Sequence, residues 1–415
     1  MASLTSSLFN IIIKTGSLTV AHTDGTTRTY GDGGDPKVAI ALHGKSVETS
    51  LALNPKLRIG EAYMDGRLTI EDGSLYDFID LCALNVQNLE RHGAYATVEW
   101  LGAWLRYLRS FNPLERAQKN VAHHYDLSGS LYDLFLDEDR QYSCAYFRDN
   151  SVDLETAQRD KKLHIAAKLR LERPGLRVLD IGCGWGGMAL TLARESEAEV
   201  VGITLSREQL KVAQARAQEA GLSDRVEFRL QDYREVSEQF DRVVSVGMFE
   251  HVGLAHYGVF FNKVRDLLTE DGVALLHSIG TMYPPSGTNP WLRKYIFPGG
   301  YTPSLSEVMP AVERAGLWST DIEILRLHYA ETLRHWRQRF EANRDKAKDL
   351  FDERFCRMWE FYLAACEISF RRMGQMVFQL QMTRRQDAVP LTRDYITDWE
   401  RERLPDRSKK AEAAE

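Results

Sequence analysis

The chain is poor in the features that mark secreted, membrane-spanning or nucleic-acid-binding proteins. Only 5 cysteines occur in 415 residues. They stand at positions 82, 144, 183, 356 and 366 without a C-x-x-C pair, which argues against a disulfide framework and for reduced thiols in a cytoplasmic setting. No apolar run reaches the roughly 18 residues that a bilayer-spanning helix needs. Leu8-Phe9-Asn10-Ile11-Ile12-Ile13 is apolar, but no basic stretch precedes it and no cleavage site follows, so it reads as a first strand or helix. The formal net charge is only −6, which leaves no global field to attract nucleic acid. No internal repeat is present. The remaining composition, 44% hydrophobic and 27% charged, is that of a globular protein of about two to three domains.

Patterning divides the chain. Residues 11 to about 72 read as β-rich and hairpin-like, with Asp24-Gly25, Gly31-Asp32-Gly33-Gly34, Asp65-Gly66 and Asp72-Gly73 as turn signals. From Leu75 the period becomes helical, and Trp100 to Arg109 mixes bulky apolar residues with arginines. This predicts a small N-terminal α+β domain over 1–110 and a linker over 111–122 opened by Asn112-Pro113. From about 174 the alternation is β-α-β. Strands are expected at 177–181, 199–203, 225–230, 241–246 and 273–279, with helices at 186–195, 206–220 and 257–269. That pattern predicts an α/β, doubly wound parallel sheet with its ligand at the carboxyl ends of the strands. Helical additions from Leu305 to about Gln381 complete a catalytic domain over 123–390. A tail over 391–415 follows, charged and Ala-rich from Arg401 and expected to be partly disordered.

The most informative stretch is Asp180-Ile181-Gly182-Cys183-Gly184-Trp185-Gly186-Gly187. Its glycines let backbone approach a ligand where a side chain would collide. The spacing departs from the dinucleotide fingerprint G-x-G-x-x-G. An acid immediately before G-x-G-x-G suits S-adenosylmethionine, whose amino group pairs with a carboxylate. Asp180, Gly182, Gly184, Trp185 and Gly186 are therefore candidate cofactor residues. Class I methyltransferases usually hold both ribose hydroxyls with an acid at the second strand end. Here Thr204 occupies that place, so the contacts would fall to Thr204 and Gln209. Ser206 and Gln209 also form the pattern of a capping box. After the third strand, Gln231, Asp232 and Tyr233 stand where such folds contact the adenine.

Further segments sharpen this picture: Asn120-Val121-Ala122-His123-His124-Tyr125-Asp126-Leu127, Gln141-Tyr142-Ser143-Cys144-Ala145-Tyr146-Phe147 and Val246-Gly247-Met248-Phe249-Glu250-His251-Val252-Gly253. With Leu275-Leu276-His277-Ser278-Ile279-Gly280 and Lys294-Tyr295-Ile296-Phe297-Pro298, they closely resemble the cyclopropane-fatty-acyl-phospholipid synthases. The resemblance runs over about residues 120 to 385 and more loosely through the N-terminal domain.

The resemblance implies a class I methyltransferase-like fold and methylene transfer from S-adenosylmethionine to a cis double bond of a phospholipid acyl chain. An alkene is a weak nucleophile, so the sulfonium methyl must be held close to it in a dry site. Aromatic faces can stabilise the carbocation left on the chain. A base must then remove a proton so that the ring closes. The resemblance implies that a bound bicarbonate is this base, held by Cys144, Glu250, His277, Ile279 and Tyr329. Ile279 can offer only backbone. It further implies that Tyr142 and Ser143 touch the methionine end of the cofactor, and that Tyr125 belongs to a lid. Cys366 matches a cysteine often proposed as catalytic, although the mechanism needs no covalent adduct. His123-His124 is no natural chelate, because adjacent helical side chains point about 100° apart, so no metal is expected. Docking on membrane phospholipids would use Trp100 to Arg109 or the arginines at 326, 334, 337 and 339. A homodimer is also implied. The alternative is an enzyme of the same fold that leaves a methyl or methylene branch without closing a ring.

Overall fold

A computed structural model describes residues 4–90, 129–149 and 151–403. The N-terminal unit is a four-stranded sheet in the order β2-β1-β3-β4. Its strands are β1 (Ser17–Ala21), β2 (Thr27–Gly31), β3 (Lys37–Leu42) and β4 (Leu68–Asp72). Asp24-Gly25 turns the antiparallel β1–β2 hairpin as the sequence predicts, but β1 and β3 run parallel. The region is less β-rich than expected. Helices Lys45–Leu53 and Pro55–Met64 fill the connection between β3 and β4. Val47 and Leu51, one helical turn apart, are buried, and Pro55 starts the second helix, where its missing N–H costs nothing. Asp65-Gly66 thus ends a helix and does not turn a hairpin. Residues 4–12, left open between strand and helix, are helical.

The second sheet has seven strands in the order β10-β11-β9-β8-β5-β6-β7. The expected strands are present as β5 (Arg177–Ile181), β6 (Glu199–Thr204), β7 (Val226–Leu230), β8 (Phe240–Val246) and a longer β9 (Leu268–Thr281). All five are parallel to their neighbours within this group, and the chain reverses its direction of travel between β5 and β8, so their carboxyl ends form the natural ligand crevice. Between Leu305 and Gln381 the expectation of helices needs correction. β10 (Trp318–Ile324) and β11 (Gln375–Thr383) lie in that span and extend the sheet antiparallel, β11 pairing with both β9 and β10. Gly316 and Gly374, both at positive φ, precede these strands and break the helical run. β11 is buried on both faces and carries Gln379 and Gln381 inward, which hides the two-residue alternation of an ordinary strand.

One helix had no counterpart in the sequence reading. Leu154–Leu169 lies almost wholly buried although it is rich in charge. Its ionic groups are paired: Asp160 with Arg148 at 2.8 Å, His164 with Glu323 and Glu400 at 2.6 Å each, and Lys168 with Asp321 at 3.3 Å. Without an apolar stripe the usual helical signal vanishes. The partner Glu400 sits on helix Asp394–Arg403, whose Ile396 and Trp399 are buried. The expected tail therefore begins as an ordered, packed helix. Helix Glu353–Arg372 joins the two units, since its Ala364 and Ile368 complete the N-terminal core around Leu18, Ile40 and Phe78. The Trp100–Arg109 stripe, the Asn112-Pro113 boundary, the linker, His123-His124, Tyr125 and residues 404–415 lie outside the described residues.

Candidate active site

The carboxyl ends of β5, β6, β7 and β8 open onto one cleft. It is lined by Tyr142, Ser143, Asp180, Gly182, Gly184, Trp185, Thr204, Gln209, Gln231, Asp232 and Tyr233, joined by Gly247 and Met248 from the end of β8. Gly186 stands behind the cleft. It caps helix Gly187–Glu195 at φ 85°, and a Cβ there would lie 2.6 Å from the Phe228 ring. Gly182 at φ 83° faces Met248 in the same way, a Cβ falling 2.9 Å from the methionine Cβ. Both positions demand glycine on backbone and packing grounds.

Asp180 is 1% exposed and its Oδ2 has no partner. Burial pushes its carboxyl up to about 7, while Lys161 pulls the other way. An unpaired carboxylate oxygen on the wall of a cleft fits a ligand ammonium. Segment Gln141–Ser143 is held from behind by the buried helix. Lys161 donates to Gln141 Oε1 at 2.6 Å and Ser143 Oγ at 2.8 Å. Gln158 donates to the Gln141 and Ser143 carbonyls at 3.1 and 2.9 Å. Burial lowers Lys161 to about 8. Neither residue was singled out from sequence, and the one available signal was the run of charge on a helix without an amphipathic pattern.

Two groups of expected cofactor residues have local partners. Ser206 Oγ accepts from the Gln209 N–H, but the capping box is not closed by Gln209. Instead Thr204 Oγ1 donates to Gln209 Oε1 at 2.9 Å and accepts from the Ser206 N–H at 3.2 Å. Asp232, expected to accept from the adenine amine, already has both oxygens on Arg234 at 2.8 Å. Tyr233 packs edge-on against Phe260, with their centroids 5.4 Å apart, and Arg234 lies over its ring.

Next to the cleft, Glu250, Tyr329, Cys144 and Cys366 lie close enough to influence one another, while His277 is placed by the sheet opposite Gln379. Glu250, between the cleft residues Met248 and His251, is buried, and its Oε1 accepts from the Ile279 N–H at 2.6 Å. Its Oε2 makes no hydrogen bond within 3.5 Å, and burial raises its pKa against the Ile279 N–H and the Ser278 side chain, which lower it. Ile279 thus holds Glu250 and does not offer a free N–H. His277 lies two residues earlier on the same face of β9. Its Nδ1 meets Gln379 Nε2 at 3.2 Å, its Nε2 has no partner, and burial holds its pKa well below the usual histidine value. The Tyr329 phenol is raised well above its ordinary pKa by burial and then by Tyr362, Cys144, Glu250 and Cys366. The Cys144 thiol donates to the Ala145 carbonyl at 3.3 Å, and burial pushes it up.

Around this group runs an aromatic wall. Tyr142 stacks on Trp336 at 5.2 Å and shares a 2.7 Å hydroxyl contact with Tyr362. Tyr329 packs against Trp336 and Phe370. Such faces suit a developing cation. Burial pushes the half-buried Cys366 up to about 12, away from the thiolate form.

The expected docking arginines are largely engaged within the chain. Arg334 pairs with Glu331 at 2.7 Å, Arg337 with Glu367 at 3.0 Å and Arg339 with Glu155 at 2.7 Å. Arg334 is paired within its own helix, and Arg337 and Arg339 are paired with residues distant in sequence. Among the described residues, no helix is long and apolar enough to cross a membrane, and no group of three or more His, Cys, Asp or Glu could hold a metal.

Residues 113–380 match the family described as mycolic acid cyclopropane synthetase, and residues 5–92 match a domain of unknown function. The chain is 38% identical over 358 residues to a cyclopropane-fatty-acyl-phospholipid synthase of Escherichia coli, covering 84% of this chain and 91% of that one. It is also 38% identical over 347 residues to a probable fatty acid methyltransferase of Pseudomonas putida, covering 82% and 85%. Among solved structures, a mycolic acid cyclopropane synthase complexed with SAH and CTAB matches with a TM-score of 0.61 and 34% identity, over 66% of this chain and 99% of that one.

Proposed function

The chain belongs to the mycolic acid cyclopropane synthetase family of S-adenosylmethionine-dependent enzymes, and from that premise we propose that it converts the cis double bond of an unsaturated phospholipid acyl chain into a cyclopropane ring, with bicarbonate as the base. One observation carries the proposal. Beside a cleft with the unpaired carboxylate oxygen of Asp180, two more buried polar atoms, Glu250 Oε2 and His277 Nε2, lack any partner. Leaving such a group unpaired costs about 1–3 kcal/mol of desolvation, which a bound ligand would offset. A small planar anion with one proton has the acceptor and the donor that this pair calls for. When bound, S-adenosylmethionine supplies the electrophilic methyl group and bicarbonate the proton acceptor.

The chain's own residues do the rest. Asp180 pairs with the cofactor amino group. Lys161 and Gln158 fix the Gln141–Ser143 edge of the cleft. Ile279 aims Glu250. Tyr142, Tyr329, Trp336 and Phe370 keep the reacting chain dry and present aromatic faces to positive charge.

The reading is tested by expressing the protein in bacteria that hold unsaturated lipids and analysing their fatty acids by mass spectrometry and proton resonance. A gain of one CH2 with loss of olefinic signals supports ring formation. A gain with olefinic signals retained would support the branching reaction, which the likeness to a probable fatty acid methyltransferase favours. No mass gain would remove both.

A further inference from the structure

His277 and its partner across the sheet carry a further argument, which rests on the anion-site reading above. β11 pairs antiparallel with β9 so that Gln379 stands directly opposite His277. The two are 0% and 2% exposed, and the Gln379 Nε2 lies 3.2 Å from His277 Nδ1. An amide NH2 can only donate, so Nδ1 must present its lone pair, and a neutral ring then carries its proton on Nε2. That is the nitrogen without a protein partner.

The alternatives are physically worse. Reversing the amide would leave both N–H groups of Gln379 without acceptors, where the present orientation leaves one N–H and the Oε1 carbonyl unpaired. It would also turn an imidazole lone pair toward a site suited to an anion. A doubly protonated ring is opposed by burial and by the nearby Lys161, Lys168 and His164, with Glu323 alone acting in the other direction.

We propose that Gln379 is a positioning residue that locks His277 as the neutral Nε2–H tautomer, so that the histidine serves as a hydrogen-bond donor to the bound base and is not itself the base. The assignment extends the site to a strand that supplies no other member of it. It also gives a role to a glutamine in the fully buried middle of β11, where an apolar residue would pack without an orphaned carbonyl.

The tautomer is read directly by two-bond proton–nitrogen correlation on 15N-histidine protein, with the His277 signals identified by their loss in His277→Asn. The proposal expects a protonated Nε2 and a bare Nδ1 throughout about pH 6–8. A carboxylate in Gln379→Glu would accept from Nδ1–H, so the pattern should move to a protonated Nδ1, while Gln379→Leu should leave a mixture. Turnover should fall about 10- to 100-fold in both variants, the cost typical of losing an orienting partner, with cofactor affinity by calorimetry unchanged. A protonated Nδ1 in the native protein, or a native pattern that persists in both variants, would overturn the assignment. The native measurement needs no variant to fold. It is also independent of lipid products, so a failed lipid assay removes the functional reading without deciding the tautomer.

Discussion

The cofactor cleft and the proposed anion site are built in opposite ways. Much of the cleft is backbone, from turns that follow four consecutive strands, and many of its polar side chains already have partners: Thr204 with Gln209, Asp232 with Arg234, Ser143 with Lys161. The anion site is made of side chains from separated segments, packed among aromatic rings, with Glu250 Oε2 and His277 Nε2 left open. A large ligand with many polar groups can be held by local geometry that is satisfied without it. A small anion offers few contacts, so its site must keep unpaired groups waiting, at a cost in stability.

If that contrast is right, the two regions should fail separately. The largest effect is expected for Glu250→Ala: turnover should fall about 10²- to 10⁴-fold, the usual contribution of acid–base machinery, while calorimetric affinity for the cofactor stays unchanged. Equal losses in both would show one coupled site.

Gly186→Ala should harm folding more than chemistry. Its Cβ would meet the Phe228 ring at 2.6 Å and its backbone would keep a positive φ, so a loss of about 2–4 kcal/mol is expected from urea denaturation.

Asp180→Asn should weaken cofactor binding about 10- to 100-fold with little change in the rate at saturation. Its pH signature sharpens the contrast. Burial raises the Asp180 carboxyl from 3.8 to about 7, so the folded protein holds a proton that the unfolded chain releases. The resulting stability is full below about pH 4 and lost as pH rises through about 7. Cofactor affinity should move the other way and strengthen as Asp180 ionises. The difference in thermal midpoint between native protein and Asp180→Asn should therefore vary with pH only in that window, and a flat difference would remove Asp180 from the role.

The smallest effect is expected at Cys366. With its thiol held protonated, Cys366→Ala should keep turnover within about threefold in the lipid assay. A loss as large as that of Glu250→Ala would restore a covalent role.

The glycine loop, the five parallel strands and the cleft behind them were legible because local chemistry dictates them. Positive-φ glycines, β-branched strand runs and the acid at a strand end act over a few residues. The resemblance to a known family added the members of the anion set, including Glu250 and His277, but not their partners. Three features were not legible: the two strands beyond residue 305, the buried charged helix 154–169, and the pairing of Arg337 and Arg339. Each depends on groups far apart in sequence. A buried glutamine looks polar until Gln379 meets His277, a run of charge looks solvated until Glu323 and Glu400 reach His164, and an arginine looks free until Glu155 or Glu367 arrives.

Sequence alone determined the glycine turns of the cofactor loop and the five parallel strands, because conformational preference and hydrophobic period are short-range properties. Tertiary structure decided which polar groups are paired and which stay open, because desolvation and hydrogen bonding depend on what the rest of the chain brings to each buried atom.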